Sequence, residues 1–343
     1  MNANKKYSWL KLSMMFLLAA MLLVTAACGS KNSSAPAADT KSNVEEPATA
    51  AGNQSADKTA AKSEGAAQAT AYPMTVKDAT GTELTFTEAP QRIVTLVPSE
   101  TELLYAIGAG EEVVGVDDFS NYPPEAASKE KIGGMDANIE KIVSLKPDLV
   151  LGSSSMNKPV IDKLRALKLN VFASDPKTYD AVIEKITQVG AIMNKAEKAA
   201  EVTKHMIEVR QQVTEAVKDV PKPKVYLEFS PGWTVGKGEF LDELLTIAGG
   251  TNIADKTGWY QIDPELVVKA NPDIIVYASM TVKQGEKNPI LAEIEKRPGW
   301  ETISAVKNKK LFEVDQDPLV RVGPRLADGL LEVAKKLHPD LFK

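Results

Sequence analysis

The side chains of this 343-residue chain best placed for chemistry are aromatics and charges on turns. Phe119, Trp233, Trp259 and Tyr260 stand in "DDFSNYPPEA", "SPGWTVGKGE" and "DKTGWYQIDP", segments broken by glycine and proline rather than apolar runs of fixed period. Aromatics so placed suit the wall of a site for a broad, flat, partly apolar molecule. Asp317 and Arg321 lie four apart in "DQDPLVRVGPRL" and can offer acceptor and donors together to amide groups on the rim of such a molecule. Arg325 follows Gly-Pro at a helix start and is either a further contact or half of an ion pair joining parts of the fold. Tyr122, in "YPP", reads as a structural turn, and Trp300, in "RPGWETISAV", as core.

Reactive chemistry has no comparable footing. The two histidines, His205 and His338, are far apart with no partner pattern, and the single cysteine is Cys28. Zinc and manganese sites need clustered histidines and carboxylates, so no metal site, catalytic residue or cofactor is expected. "GWTVGKGE" has too few residues between its glycines for a phosphate-binding loop and lacks Ser or Thr after the lysine. The net charge of −5 and the lack of a basic stripe speak against nucleic acid as a partner.

The elements that must position these residues are legible as an α/β pattern. "MTVKDATGTELTFTEAP" (74–90) alternates about a turn and reads as a β-hairpin. "RIVTLVP" is then a strand, and "SETELLYAIGAG" a helix with Ser99 as N-cap and Glu102 in the capping-box position. The later strands "EVVGVDD", "DLVLGS" and "NVFASD" give a βαβαβ order, which implies parallel pairing. The chain also repeats itself. "ELLYAIGAG" followed by "IEKIVSLKPDLVL" is echoed about 125 residues later by "ELLTIAGG" followed by "PELVVKANPDIIVY". In each copy a glutamate, Glu140 or Glu265, opens a short helix that a Pro-Asp pair stops before a buried strand.

Two similar α/β lobes with mainly parallel central sheets follow, residues 72–177 and 222–343. Segment 178–221 joins them through one long helix, with Val202, Met206, Val209, Val213 and Val217 on its apolar face. A single stiff helix as the crossing implies small motion between the lobes, with a ligand cleft between them. In open parallel sheets ligands bind beyond the carboxyl ends of the strands, which places the loops 98–101, 117–122, 152–157, 174–178, 230–240, 255–262, 278–285 and 315–325 around that cleft.

The N-terminus reads as processing signal. Lys5, Lys6 and Lys11 precede the apolar "MMFLLAAMLLV", which is too short to span a bilayer permanently. "TAAC" resembles the lipobox of bacterial lipoproteins, with Thr25 where that pattern prefers Leu; the resemblance implies cleavage after residue 27 and a lipid on Cys28. Residues 28–71, rich in Ala, Ser, Thr, Lys and Glu, lack the apolar content to fold and read as a tether. A tether of that length fits the outer face of a Gram-positive membrane.

Over residues 72–343 the motifs "RIVTLVPSETELLYAIGAGEEVVGVDDFSNYPPEA", "NIEKIVSLKPDLVL", "ELVVKANPDIIV", "PGWETISAVKNKKLFEV" and "GPRL" resemble the substrate-binding proteins of ABC importers for vitamin B12, ferric siderophores and haem. The resemblance implies a monomeric receptor, not an enzyme, that delivers a ligand carrying cobalt or iron to a permease dimer with its ATPase subunits. It places Phe119, Trp233, Trp259, Asp317 and Arg321 at positions that line the corrinoid site in the B12-binding members. It also makes Glu140 and Glu265 similar to the glutamates that dock, one per lobe, into the permease. Gly134 departs from the pattern, because the B12 members carry an aromatic there and many siderophore binders do not. A strongly anionic ferric catecholate would ask for a more basic cleft than these loops offer, which favours a corrinoid or a near-neutral hydroxamate complex. A surface enzyme, or an adhesion or sensor lipoprotein, are the readings from other classes.

Overall fold

The computed structural model describes residues 70–342. The signal segment, Cys28 and the tether up to residue 69 lie outside the described residues.

A hairpin of β1 (Met74–Lys77) and β2 (Glu83–Phe86) comes first. Then follow β3 (Ile93–Thr95), α1 (Pro98–Ala106), β4 (Val113–Val116), β5 (Glu130–Lys131), α2 (Ile139–Ser144), β6 (Leu149–Ser153), α3 (Lys158–Ala166) and β7 (Val171–Ser174). Strands β5-β4-β3-β6-β7 form one sheet in that order, with every pairing parallel. After α4 (Tyr179–Ile192) and α5 (Ala196–Val217) the second lobe runs β8 (Lys224–Glu228), β9 (Trp233–Val235), α6 (Phe240–Ile247), β10 (Thr251–Asn252), β11 (Trp259–Gln261), α7 (Pro264–Ala270) and β12 (Ile274–Ala278). It closes with α8 (Pro289–Ile294), α9 (Ser304–Lys307), β13 (Leu311–Val314), α10 (Gln316–Val320) and α11 (Leu326–Leu337). Its parallel sheet has the order β10-β8-β12-β13, and β9 pairs antiparallel with β11 as a separate two-stranded ribbon.

Without the edge strand β5, both sheets place their second strand first, then the first, third and fourth. The sequence echo is this shared topology. In both copies the helix before the Pro-Asp pair ends on a left-handed residue, Lys146 at φ 49° and Asn271 at φ 47°. Proline then blocks continuation and the aspartate clamps the start of the lobe's first strand. Asp148 accepts from the amides of Gln91 (2.8 Å) and Arg92 (3.0 Å), and Asp273 accepts from the amide of Lys224 (2.9 Å). The "ELL" helices end alike too. Gly108 and Gly249 adopt φ 74° and 80°, which a side chain would strain, and the next amide reaches back to Leu104 O (2.7 Å) or Leu245 O (2.9 Å).

Helix α5, about 33 Å long at 1.5 Å per residue, buries Ala199, Thr203, Met206, Val209, Val213 and Val217, with Val202 half-buried at the edge of the stripe. It packs on α4, α11, α1 and α6, so it touches helices of both lobes. One apolar core runs through this junction from Leu103 and Leu104 by way of Tyr179 and Met206 to Leu244 and Leu330. The lobes are therefore held by a continuous core as well as by a covalent crossing, and sliding them would open that core to water. A second cluster, including Leu96, Ile142, Val150 and Leu164, fills the other face of the first sheet.

The start of α1 differs from the sequence expectation. Pro98 occupies the first helical turn and Val97 is the N-cap, without a side-chain cap bond, so Ser99 lies inside the helix. Glu102 does not turn back to the helix start, because two arginines of the second lobe claim its carboxylate.

Candidate functional site

A cavity of about 640 Å³ opens between the lobes, bounded by the segments that follow β3, β4, β6, β7 and β13, by Glu239 and Phe240 at the head of α6 and by Trp259 at the start of β11. The segment after β12, residues 279–285, contributes nothing to the wall.

Phe119 and Trp259 face this space from opposite lobes, 63% and 41% exposed. Phe119 is held by its backbone. Asp117, fully buried, accepts from the Phe119 amide (2.8 Å) and from the Ser120 hydroxyl, at the end of a buried hydroxyl chain through Thr101 (2.7 Å) to Thr95 (2.6 Å). Burial pushes the Asp117 carboxyl above its ordinary value, although the Ser120 and Phe119 hydrogen bonds oppose the shift. Gly134 lies under Phe119: a β-carbon built there would stand 3.3 Å from its ring. Trp259 leans edge-on against Phe229 with ring centres 5.7 Å apart, which leaves one side of the indole free.

Asp317 and Arg321 come together in the wall as a 2.7 Å ion pair. Arg321 also bonds Glu102 (2.7 Å) and Asn121 (2.8 Å) of the first lobe, so the donor on the cleft is fixed from both sides. Across the rim, Lys177 approaches Glu239 of the second lobe at 3.3 Å.

Three residues singled out from the sequence stand outside this wall. Trp233 shares a face of the β9–β11 ribbon with Trp259, since Trp233 pairs with Gln261 and Trp259 with Val235, but at the other end of the ladder. Tyr260 lies on the opposite face, its ring 5.3 Å from the Lys256 ammonium, and burial raises its phenol. Arg325 borders a different cavity of about 700 Å³ with Tyr105 and Tyr122. It binds Glu102 through Nε (2.8 Å) and a terminal nitrogen (2.7 Å) and stacks 4.1 Å over Tyr122, so of its two expected roles the geometry displays the ion pair. Burial opposes its charge, but the hydrogen bonds and charge of Glu102 outweigh that and hold the guanidinium above its ordinary value.

Sequence reasoning missed Glu100, Lys185 and the role of Glu102. The available signal was "PSETE", four consecutive polar residues opening a helix whose remainder is apolar. Trp300 is buried against Tyr226, as expected of core. The amides of Gly236 and Lys237, in the glycine-rich segment "GWTVGKGE", are committed to Gly258 O and Lys256 O at 2.9 Å and so are not free to bind a phosphate. Among the described residues, no group of three or more His, Cys, Asp or Glu side chains could hold a metal ion.

Glu140 and Glu265 occupy the first turns of α2 and α7, whose N-caps are Asn138 and Asp263. Both are exposed, and among the described residues neither carboxylate has a hydrogen-bond or ion-pair partner. A first-turn glutamate complements the helix dipole by roughly 0.3–1 kcal/mol, which explains a glutamate at each site but not its matching exposure on both lobes.

Two parallel-sheet lobes with a shared core, enclosing a partly apolar cleft at the carboxyl ends of their strands, define a ligand-binding protein of the two-lobed α/β class. The sequence matches the periplasmic binding protein family over residues 93–318, and the chain belongs to that family. It is 38% identical over 283 residues to the uncharacterized ABC transporter substrate-binding lipoprotein YvrC of Bacillus subtilis (strain 168), covering 79% of this chain and 88% of that one. The crystal structure of the periplasmic vitamin B12-binding protein BtuF of Vibrio cholerae superposes with a TM-score of 0.62 at 29% identity, covering 73% of this chain and 97% of the other. The periplasmic heme-binding protein RhuT from Roseiflexus sp. RS-1 superposes with a TM-score of 0.65 at 25% identity, over 74% of this chain and 99% of that one. The role of the chain is thus that of a binding protein.

Proposed function

We propose that this protein captures a corrinoid outside the cell, held to the membrane by a lipid on Cys28, and delivers it to the permease dimer of an ABC importer. The observation that carries this reading is the cleft wall. Phe119 and Trp259 leave aromatic surface free on opposite lobes, and the Asp317–Arg321 pair offers acceptor and donors between them. A flat macrocycle with an amide rim satisfies both features, stacking on the rings and hydrogen-bonding at its edge. Likeness to the B12-binding protein of Vibrio cholerae supports the same ligand class. Glu140 and Glu265 serve as the two docking charges, since a pseudo-twofold molecule meeting a twofold permease needs one on each lobe.

The test is a fluorescence titration of the full chain in detergent with cyanocobalamin, a ferric hydroxamate, a ferric catecholate and haem. Saturable quenching by cyanocobalamin, weakened in Trp259→Ala, is the expected result; saturation only by an iron complex or haem overturns the ligand. For docking, Glu140→Arg with Glu265→Arg is expected to abolish uptake and leave ligand affinity within twofold. Gly134 favours a second reading, a near-neutral ferric hydroxamate, because the ring that B12-binding members place there is replaced here by the flank of Phe119.

A further inference from the structure

Glu100 is 1% exposed in the second residue after Pro98 of α1, and it forms part of the cleft wall. Its Oε1 accepts from the Ser174 hydroxyl (2.8 Å) and from Lys185 Nζ (2.9 Å). Lys185, itself buried on α4, also donates to Val322 O of the second lobe (2.8 Å), so the pair spans the floor between the lobes. The other oxygen, Oε2, is buried with no hydrogen-bond partner among the described residues. A carboxylate accepts at both oxygens, and leaving a buried one without a donor is costly.

The rest of the wall points the same way. It holds the carboxylates of Glu100, Asp175, Glu239 and Asp317 against only two cationic side chains, Lys177 and Arg321, and each of those cations is already paired with a carboxylate. Such a cleft has acceptors in excess. It repels an anionic rim and suits an uncharged ligand edged with N–H donors.

We propose that Glu100 is a specificity-determining residue of the cleft, whose unpartnered carboxylate oxygen accepts an amide N–H from the rim of the ligand. Lys185 beneath it supplies the compensating charge, and the contact discriminates amide-edged macrocycles from ester-edged or carboxylate-edged ones of equal size. The inference rests on the corrinoid reading above and deepens it.

The experiment compares two corrinoids of similar shape, dicyanocobinamide with its amide rim and dicyanocobyrinic acid heptamethyl ester with an ester rim, by fluorescence titration of the full chain in detergent. Wild type is expected to bind the amide form at least tenfold more tightly. In Glu100→Gln/Lys185→Met, which removes both charges together, that ratio is expected to fall about tenfold, because a hydrogen bond to a charged acceptor is worth that order of affinity. A ratio unchanged within twofold in the folded variant overturns the proposal. A ratio near one in wild type overturns it too, whether or not the variant folds. If wild type binds neither corrinoid, the corrinoid reading itself has failed and takes this inference with it, a result distinct from binding without discrimination.

Discussion

Glu102 and Glu243 stand at the same place in two copies of one helix, "ELLYAIGAG" and "ELLTIAGG", and both reach out of their own lobe. Their partners differ greatly. Glu102, almost fully buried, gathers the guanidinium groups of Arg321 and Arg325 from the opposite lobe, while Glu243, half-buried, accepts one backbone N–H from Tyr179 at the head of α4 (2.6 Å). The repeated frame thus supplies two equivalent carboxylates, and the surroundings turn one into a latch between lobes at the cleft and the other into a fastening for the connecting helices. The rest of the molecule follows the same division. Sheet order, Pro-Asp clamps and helix ends are common to both lobes, whereas the cleft surfaces are not: Phe119 rides on the loop after β4, and Trp259 on an antiparallel ribbon with no counterpart in the first lobe.

The two lobes differ most at Glu102. Glu102→Ala leaves two largely buried guanidinium groups short of their carboxylate and is expected to cost about 3–5 kcal/mol of unfolding free energy, whereas Glu243→Ala, losing one hydrogen bond to a charged acceptor, is expected to cost about 1.5 kcal/mol. Urea denaturation of both variants measures the difference, and equal losses would contradict the asymmetry. At the cleft, Phe119→Ala and Trp259→Ala are each expected to weaken cyanocobalamin binding about tenfold, roughly 1.4 kcal/mol, and Trp233→Ala less than twofold. A large effect at Trp233 would place the ligand further along the ribbon than the cavity does.

The clamps allow a finer test. Asp148→Ala removes two bonds to the strand it pins and Asp273→Ala one, and because both carboxylates are exposed to competing water, unlike half-buried Glu243, losses of only about 1 kcal/mol and roughly half that are expected, with the order rather than the size being decisive. Smallest is a pH effect at Asp117. Its folded pKa is raised, so the native state holds the proton more tightly than the unfolded chain does, and stability declines as pH rises from about 4 to the raised folded value. Asp117→Asn should flatten that decline, as measured by unfolding free energy between pH 4 and 6; an unaltered slope would show that Asp117 is not its source.

Much of the frame could be read from the chain. "KPD" and "NPD" mean the same thing in both lobes because proline forbids the helix and an aspartate beside it has nearby amides to accept from, a local matter that sequence records. The hairpin 74–86 and the apolar stripe of α5 followed from periodicity in the same way, and Trp300 from its place in "RPGWETISAV". The carboxyl-end loops were also the right place to seek a cleft. The role of each residue within them was less legible. Ser99 and Glu102 fit a capping box by spacing, but Pro98 shifts the helix start and arginines 219 and 223 residues away outcompete the helix amides.

Two parallel α/β lobes, the helix that crosses between them and the family to which they belong were written in the chain, because hydrophobic period, turn residues and a repeated motif act over short stretches. The three-dimensional packing alone brings Phe119 and Trp259 to one cavity, leaves Trp233, Tyr260 and Arg325 outside it, and gives Glu100 in its wall a buried oxygen with no partner among the described residues. Those outcomes depend on which side chains meet across the two lobes, and pairings between residues 200 or more positions apart, as between Asn121 and Arg321, are set by the packing of whole sheets rather than by any local pattern.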